Sequence, residues 1–179
     1  MEIQRIDPGH DPWDAYVAHL QRTDQARWVL DAAGRPAEPY LFLGAVVAGD
    51  VVGDLSLRVQ PLLVPATEWS GGVERTLESH DGIPLTEAYV QTFHVDAAHR
   101  RRGIGRALQA AALTWAAEEG CLQLRSWSSL DRPANYALKL SMGFVLHPAI
   151  HDAAAGYPVS GVYFVKRVDG DTPLTQPRC

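Results

Sequence analysis

A run of arginines followed by two glycines is the part of this sequence whose residue types point most directly to chemistry. The segment Arg100-Arg101-Arg102-Gly103-Ile104-Gly105-Arg106 lies between a β-rich stretch and a helical pattern. The start of a helix offers unpaired backbone N–H groups and a partial positive charge. Glycines let a ligand approach the backbone closely, and arginines donate charge-assisted hydrogen bonds to phosphate oxygens. The segment therefore predicts a binding loop for a phosphorylated ligand.

The spacing of the glycines narrows the class of that ligand. A dinucleotide-binding fingerprint requires a third glycine, and Leu108 occupies its position. A Walker loop requires Gly-Lys followed by Ser or Thr, which the segment lacks. Both of these phosphate-binding classes are therefore disfavoured.

Two regular elements must position this loop. A β-rich run over residues 86–95 predicts a central strand before it. After it, apolar residues recur at helical spacing from Ile104 to Trp115 and Gly120 ends the pattern, which predicts a helix over Gly103–Glu119. The loop thus joins the end of a strand to the beginning of a helix.

The rest of the chain supplies further strands and helices. Before the central strand we predict a strand over 2–6, a helix over Pro12–Gln21 capped by Asp11, and a hairpin of 40–47 and 51–59 around a Gly49-Asp50 turn. After the long helix we predict a strand over 122–127, a helix over 133–142, and strands over 144–146 and 161–168. This order predicts an α/β fold, a mixed sheet with helices on its faces.

Residues 61–84 form a long connection rich in glycine, proline and acidic residues. Connections of this length inside a compact domain are usually functional or mobile. Two interpretations stay open: a flap or extra hairpin beside the substrate, and a mobile spacer.

The composition is that of an ordinary globular chain. Its 179 residues suit a single domain over residues 1–168, and we predict that the tail 169–179 is disordered. A net charge of −5 disfavours a nucleic-acid binder. Cys121 and Cys179 match no disulfide or metal-site spacing, so we expect no metal. There is no signal pattern and no membrane-spanning run, so we expect a cytoplasmic protein that is not bound to membranes.

Several motifs together resemble a known family. Phe93-His94-Val95-Asp96, followed by the loop and Ala107-Leu108, is similar to the signature of the Gcn5-related N-acetyltransferases: Arg or Gln, two residues, Gly, one residue, then Gly or Ala. Val52-Gly53 and Met142-Gly143-Phe144 resemble further landmarks of that family. The resemblance covers roughly residues 40–168 in the order of the family.

The resemblance implies an acyl-CoA N-acyltransferase fold, in which two central strands splay apart and acetyl-CoA lies between them. The backbone of the strand before the loop would bind the pantetheine arm, and the loop would bind the pyrophosphate. The residues expected to contact the cofactor are Phe93, Val95, Arg100, Arg101, Arg102, Gly103, Ile104, Gly105, Arg106, Asn135 and Lys139. The implied reaction is direct attack of an amine on the thioester.

The chain departs from the family pattern at the general acid. The family's tyrosine lies four residues before the Gly-Phe pair, and this chain has Lys139 there. Tyr136 lies about one helical turn earlier on the same face and is our candidate acid, with a packing role as the alternative. Lys139 either contacts a phosphate of the cofactor or is solvated, and solvation is favoured. Asn135 is similar to an asparagine that the family places near the cofactor arm.

The candidate base lies on the central strand. Strict alternation would place Glu87, Tyr89, Gln91 and Phe93 on one face, and Glu87 is the strong base among them. A solvated carboxylate at a strand end is the alternative. Alternation would place His94 on the opposite face, as a buried histidine, unless a bulge reorients it.

These observations predict an enzyme that acetylates a primary amine of a small molecule. A protein N-terminus or lysine is a second candidate acceptor, although residues 61–86 would partly block a peptide. A third candidate is a non-catalytic acyl-CoA-binding module, because the expected tyrosine is missing. A homodimer is a candidate assembly.

Overall fold

The computed structural model describes residues 1–64, 74–152 and 158–168. The helices are α1 (Trp13–Arg22), α2 (Ile104–Glu118) and α3 (Pro133–Ser141). The strands are β1 (Glu2–Arg5), β2 (Leu41–Val47), β3 (Asp50–Pro61), β4 (Leu63–Val64), β5 (Arg75–Thr76), β6 (Thr86–Val95), β7 (Gln123–Ser129), β8 (Val145–Asp152) and β9 (Pro158–Arg167). The predicted mixed α/β fold is confirmed.

The main sheet has the strand order β1-β2-β3-β6-β7-β9-β8 within the described ranges. Every neighbouring pair is antiparallel except β6 and β7, which are parallel and joined by the α2 crossover. Parallel strands require such a crossover, because a tight turn reverses the direction of the chain. The one parallel pair therefore lies between two antiparallel halves of the sheet.

The helices cover both faces of the sheet. One face of β2, β3 and β6 packs on α2 through a core that includes Leu43, Leu57, Val90 and Leu108. The other face of β2 and β3 packs on α1 through a smaller core of Ile6, Tyr16, Leu20, Val29, Leu30, Phe42 and Val51. α3 lies on the α2 side, where its Tyr136 ring meets the Phe164 ring of β9 edge-on, with 5.0 Å between the ring centroids.

Two local predictions are corrected. Asp11 does not cap α1: Pro12 occupies the cap position, and no side chain bonds the helix start. The turn of the β2–β3 hairpin consists of Ala48 and Gly49, not of Gly49 and Asp50, because Val47 pairs with Asp50. Ala48 and Gly49 both have positive φ, 52° and 92°, as a tight hairpin turn of this kind requires.

The long connection contains the extra hairpin that was one of its two interpretations. β4 and β5 pair antiparallel, and Leu62 N–H donates to the Leu85 carbonyl at 2.9 Å, which ties the hairpin to the ends of β3 and β6. Residues 65–73 and the predicted tail 169–179 lie outside the described residues. In the described part of the chain, no helix is both long enough and apolar enough to cross a membrane.

Candidate active site

The two central strands part soon after they begin to pair. β6 and β7 are in register from Glu87 to Val90, opposite Gln123 to Ser126, and the pairing ends there although both strands continue. Asp96 N–H donates to the Val52 carbonyl of β3 at 2.9 Å, so alternation turns the backbone groups of Phe93 and Val95 away from β3 and into the gap. Arg100 Nε donates to the Val95 carbonyl at 2.9 Å, so the gap offers a ligand the backbone groups of Phe93 and the Val95 N–H.

A bulge in β6 decides which side chains face which helix. Ser56 pairs with Thr92 and the next residue of β3, Leu57, pairs with Val90, so Gln91 is an extra residue. The prediction that Phe93 shares a face with Glu87 and Tyr89 is wrong, because the extra residue reverses the alternation. Phe93 packs towards α2, whereas His94 lies on the α1 side, 6.0 Å from the His19 ring between centroids.

The arginine–glycine loop presents its backbone outward. Arg101 and Gly103 have positive φ, 61° and 82°, and α2 begins at Ile104 with no side-chain cap. The first bond of the helix runs from Ala107 N–H to the Gly103 carbonyl at 3.0 Å. Within the described ranges, no acceptor is found for the backbone N–H groups of residues 101–106. These groups and the exposed side chains of Arg100, Arg101, Arg102 and Arg106 suit an anionic ligand.

Gly103 and Gly105 differ in their surroundings. A Cβ on Gly103 would meet nothing within 4 Å, so this residue borders open space. A Cβ on Gly105 would lie 3.1 Å from the Leu138 side chain and 3.2 Å from the Phe93 ring. Gly105 therefore allows α2 to pack closely against α3 and β6, and the side chain of Ile104 is buried in the core.

The start of α3 lines the gap with polar atoms that lack partners. Asn135 Nδ2 donates to Ser128 Oγ of β7 at 3.1 Å, while Asn135 Oδ1 is buried without a partner among the described residues. The Tyr136 hydroxyl is likewise buried and unpartnered there. Buried polar atoms are nearly always hydrogen-bonded. The orphaned atoms therefore fit an elongated ligand with amide groups, such as a pantetheine arm.

Glu87 is fully buried and is held by side chains from two neighbouring strands. Gln60 Nε2 donates to its Oε1 at 2.8 Å and Gln123 Nε2 donates to its Oε2 at 2.8 Å. Arg125 completes an ion pair with Oε1. The solvated strand-end interpretation is therefore wrong, because strands on both sides of β6 cover the carboxylate.

Aromatic rings flank this ion pair on the face opposite α2. The Arg125 guanidinium lies over Tyr163, 4.6 Å from the ring centroid, and over Tyr89 at 5.4 Å. Burial raises the pKa of Tyr89 to about 12, so that its hydroxyl stays protonated at neutral pH. Arg125, Tyr89 and Tyr163 thus form a polar and aromatic surface beside Glu87.

Lys139 is not solvated as expected: its side chain is 1% exposed. Nζ donates to Gln109 Oε1 of α2 at 2.8 Å and to Ser126 Oγ of β7 at 2.9 Å. The sequence places Lys139 correctly on α3, but burial arises because α2, α3 and β7 converge on this position. Burial lowers the pKa of Lys139 to about 7.

A second buried polar group, on the α1 side, was missed from the sequence. His19 Nε2 lies 3.0 Å from Asp54 Oδ1, and both side chains are almost completely buried. Arg22 joins α1 to the loop by pairing with both carboxylate oxygens of Asp96 at 3.1 Å. Burial lowers the pKa of the nearby His94, which favours the neutral imidazole. An acidic residue inside the apolar run of β3 was the available signal for this network.

No arrangement of side chains suited to a metal ion was found among the described residues. The predicted site residues fall into three groups that border one gap: the loop 100–106, the strand residues Phe93 and Val95, and the α3 residues Asn135, Tyr136 and Lys139. Glu87 lies where β6 and β7 are still paired, on the face opposite α2.

Comparisons with known proteins agree with this geometry. The family model described as acetyltransferase (GNAT) family matches residues 7–144. No curated protein sequence matches the chain. Arabidopsis thaliana NAA60 in complex with acetyl-CoA is similar in fold with a TM-score of 0.69, at 15% identity over 94% of this chain and 99% of that one.

Two further solved structures have the same fold. An aminoglycoside 6'-N-acetyltransferase complexed with coenzyme A has a TM-score of 0.62, at 13% identity over 94% of this chain and 98% of its own. A ribosomal-protein-alanine N-acetyltransferase from Brucella melitensis has a TM-score of 0.59, at 19% identity over 93% of this chain and 99% of its own. Since the family model spans more than half of the chain, this protein belongs to the acetyltransferase (GNAT) family and is an acyl-CoA-dependent N-acetyltransferase.

Proposed function

We propose that this protein transfers an acetyl group from acetyl-CoA to a primary amine of a small molecule. The observation that supports acetyl-CoA as the acyl donor is that the gap between β6 and β7 leads directly to the loop of residues 100–106. Unpaired backbone and amide groups lie between β6 and β7, and the free N–H groups of residues 101–106 follow at its end. A ligand with an amide-containing arm and a pyrophosphate fits this sequence of groups.

In this proposal each part of the gap holds one part of the cofactor. The backbone of Phe93 and Val95, with Asn135, binds the pantetheine arm. The N–H groups of residues 101–106 bind the pyrophosphate, and the side chains of Arg100, Arg101, Arg102 and Arg106 add positive charge. When bound, acetyl-CoA supplies the activated acetyl group, and the residues of this chain orient it and exclude water.

The acceptor amine approaches from the face of β6 that carries Glu87 and His94. A protonated amine has no free lone pair, so a base must first remove a proton. We propose Glu87 for this role. Because its carboxylate is fully buried, it would act through a water relay and through the lone pairs that its three donors leave unused. His94 is the second candidate, since the bulge places it on the same face.

Two donors on α3 could protonate the departing thiolate. Tyr136, the acid predicted from the sequence, has a buried hydroxyl with no partner in the described part of the chain. Lys139 follows one turn later on the same helix.

A small acceptor is favoured over a protein by the position of the β4–β5 hairpin. This hairpin continues from the ends of β3 and β6, next to the Gln60–Glu87 pair, and in this proposal it would narrow the approach to Glu87. The similar structures include enzymes named for aminoglycosides and for a ribosomal protein, so their names favour neither acceptor class. Peptide acetylation is therefore the second candidate function.

The test is thiol release from acetyl-CoA with a panel of small primary amines and a matched panel of peptides. We expect turnover with at least one small amine and little with peptides. Turnover with peptides alone would replace the small-molecule proposal. Cofactor-induced thermal stabilisation without any turnover would support a non-catalytic binding module.

Replacement of Glu87 by glutamine should lower kcat by about 100-fold or more at neutral pH, the usual contribution of a positioned base. The loss should shrink at high pH, where more of the acceptor amine is already neutral. Initial rates across the pH range measure this effect. Arg125→Met is the matched control, because it removes the ion pair but keeps the carboxylate, and its loss should be smaller.

The same experiment discriminates between the two candidate bases. An equal loss for Glu87→Gln at every pH would indicate a purely structural carboxylate. If His94→Asn instead produced the pH-dependent loss, the base would be His94.

A further inference from the structure

Lys139 is a buried amine without an anionic partner. Its Nζ has two neutral acceptors, Gln109 Oε1 and Ser126 Oγ, and lies 4.5 Å from the centroid of the Phe144 ring and 5.8 Å from that of Phe93. No carboxylate pairs with it in the described residues. Burying a charge without a partner is costly, so an ammonium here is poised to accept an anion.

The charged and titratable groups around Lys139 do not neutralise it. On α2, Arg106 donates to Ser141 Oγ at 2.7 Å, and on β9, Lys166 donates to the Met142 carbonyl at 2.6 Å. Arg125 of β7 is paired with Glu87. On α3 itself, Tyr136 is the nearest titratable neighbour along the helix face. Burial is thus the cause of the lowered pKa of Lys139, which lies about 7.

The position of Lys139 relates it to the gap. Ser126, which accepts from its Nζ, is the last residue of β7 in register with β6. Phe93, whose ring faces Nζ, belongs to the part of β6 that has left β7. An ammonium has three N–H donors, and Gln109 and Ser126 use two of them, so one remains for a further acceptor. Gln109 Nε2 is also buried there without a partner among the described residues.

We propose that Lys139 is the catalytic acid that protonates the coenzyme A thiolate as it leaves, an inference that rests on the proposed acetyl transfer. The acceptor nitrogen forms a bond to the acetyl carbon, and the carbon–sulfur bond breaks with its electron pair on sulfur. A proton then passes from Lys139 Nζ to that sulfur, which gives the thiol and a neutral amine. The neutral amine regains a proton from the one that the acceptor released.

Lysine suits this step better than Tyr136. An ammonium stabilises the developing negative charge before the proton moves, whereas a hydroxyl offers a single neutral donor. An amine that titrates near neutral pH also exchanges its proton readily between turnovers. The neutral partners of Nζ leave its charge available to the sulfur.

The first test does not depend on turnover. The ultraviolet absorbance of the thiolate reports the protonation of coenzyme A bound to the protein. In the wild type, the ammonium should shift the thiol titration to lower pH than in free coenzyme A, and Lys139→Met should abolish this shift. Identical titrations in the two proteins would overturn the proposal. If acetyl transfer itself failed while the shift appeared, only the proposed function would be contradicted.

Kinetics and stability provide the second test. Lys139→Met should lower kcat at least tenfold with little change in the KM for acetyl-CoA. Lys139→Arg should not restore kcat, because a guanidinium keeps the positive charge but does not release its proton. Lys166→Met makes the same change at a lysine that donates to the Met142 carbonyl; it is the matched control and should keep most of the wild-type kcat. Tyr136→Phe should lower kcat less than Lys139→Met does. The reverse ranking, with kcat lost in Tyr136→Phe and kept in Lys139→Met, would overturn the proposal.

The melting temperature separates a catalytic from a structural lysine. In the unfolded chain Lys139 has its ordinary pKa of 10.5, whereas in the folded chain its pKa is about 7. Between these two values the unfolded chain binds the proton more tightly, so the free energy of unfolding falls as the pH falls from about 10.5 to about 7. Lys139→Met should therefore raise the melting temperature at pH 7 and raise it less near pH 10. A lower melting temperature at both pH values, with unchanged kcat per folded molecule, would make Lys139 a structural residue.

Discussion

Replacement of Gly103 by aspartate should weaken acetyl-CoA binding by about 100-fold or more, equivalent to about 2.7 kcal/mol. Gly103 has a φ of +82°, and a side chain there costs about 1–2 kcal/mol. The added carboxylate would also stand beside the N–H groups that we assign to the pyrophosphate and would repel it. Isothermal titration with acetyl-CoA measures the change.

Two variants separate the charge from the backbone strain. Gly103→Ala imposes the strain without the charge, so it should lose less affinity than Gly103→Asp. Gly34→Asp has the same charge change at a φ of +74°, also with nothing within 4 Å of the new Cβ, but lies in the connection between α1 and β2. We expect unchanged affinity for Gly34→Asp. Unchanged affinity for Gly103→Asp would contradict the pyrophosphate site.

Gly161→Ala should lower the free energy of unfolding by about 2–3 kcal/mol, as overpacking of a tight contact does. A Cβ at this position of β9 would lie 2.5 Å from the Ser128 carbonyl oxygen and 2.7 Å from the Trp127 indole. The oxygen belongs to the backbone of β7, so the strands themselves must move. The melting temperature should fall by about 5–10 °C for a chain of this size.

Gly44→Ala is the matched control for this prediction. Its Cβ would lie 3.1 Å from two atoms of the Ile6 side chain, which can shift without moving a strand. We expect a change of about 1 kcal/mol or less. An equal decrease in the free energy of unfolding in the two variants would show that displacement of β7 from β9 is not the cause of the destabilisation by Gly161→Ala.

The sequence predicts the strand, loop and helix start around the arginine–glycine segment well, because their signals are local. Glycines, arginines and a helical apolar pattern within twenty or so residues specify a strand, a turn and a helix start. The order of strands and helices is confirmed for the same reason. The mixed sheet then follows from the few ways in which such elements can pack.

The facing of side chains on β6 could not be predicted from its own residues. The bulge at Gln91 depends on how β6 pairs with β3, and pairing register is a property of two strands. One extra residue is enough to exchange the faces of Phe93 and His94. The register therefore adds His94 to Glu87 as a candidate base, because the bulge places both side chains on the same face.

The buried His19–Asp54 contact and the burial of Lys139 could not be predicted because both depend on residues far apart in the sequence. The His19–Asp54 contact joins residues 35 positions apart, and no local pattern specifies it. Lysine side chains are usually solvated, so the burial of Lys139 required knowledge of α2 and β7 as well as α3. Conflicts between residue type and environment of this kind are expected at functional sites.

The short parallel pairing of β6 and β7 has a mechanical consequence for the whole sheet. Each half of the sheet has its own antiparallel ladders. In the described part of the chain, the backbone connects the halves through the pairs from Glu87 to Val90 and through the bond from Leu122 N–H to the Thr86 carbonyl. The sheet should therefore bend most easily at the boundary between β6 and β7. Glu87 strengthens this boundary, because it bonds to Gln60 of β3 on one side and to Gln123 and Arg125 of β7 on the other. A cofactor bound between β6 and β7 would contact both strands beyond the point where their pairing ends. Binding should therefore restrict the motion of the two halves of the sheet relative to each other.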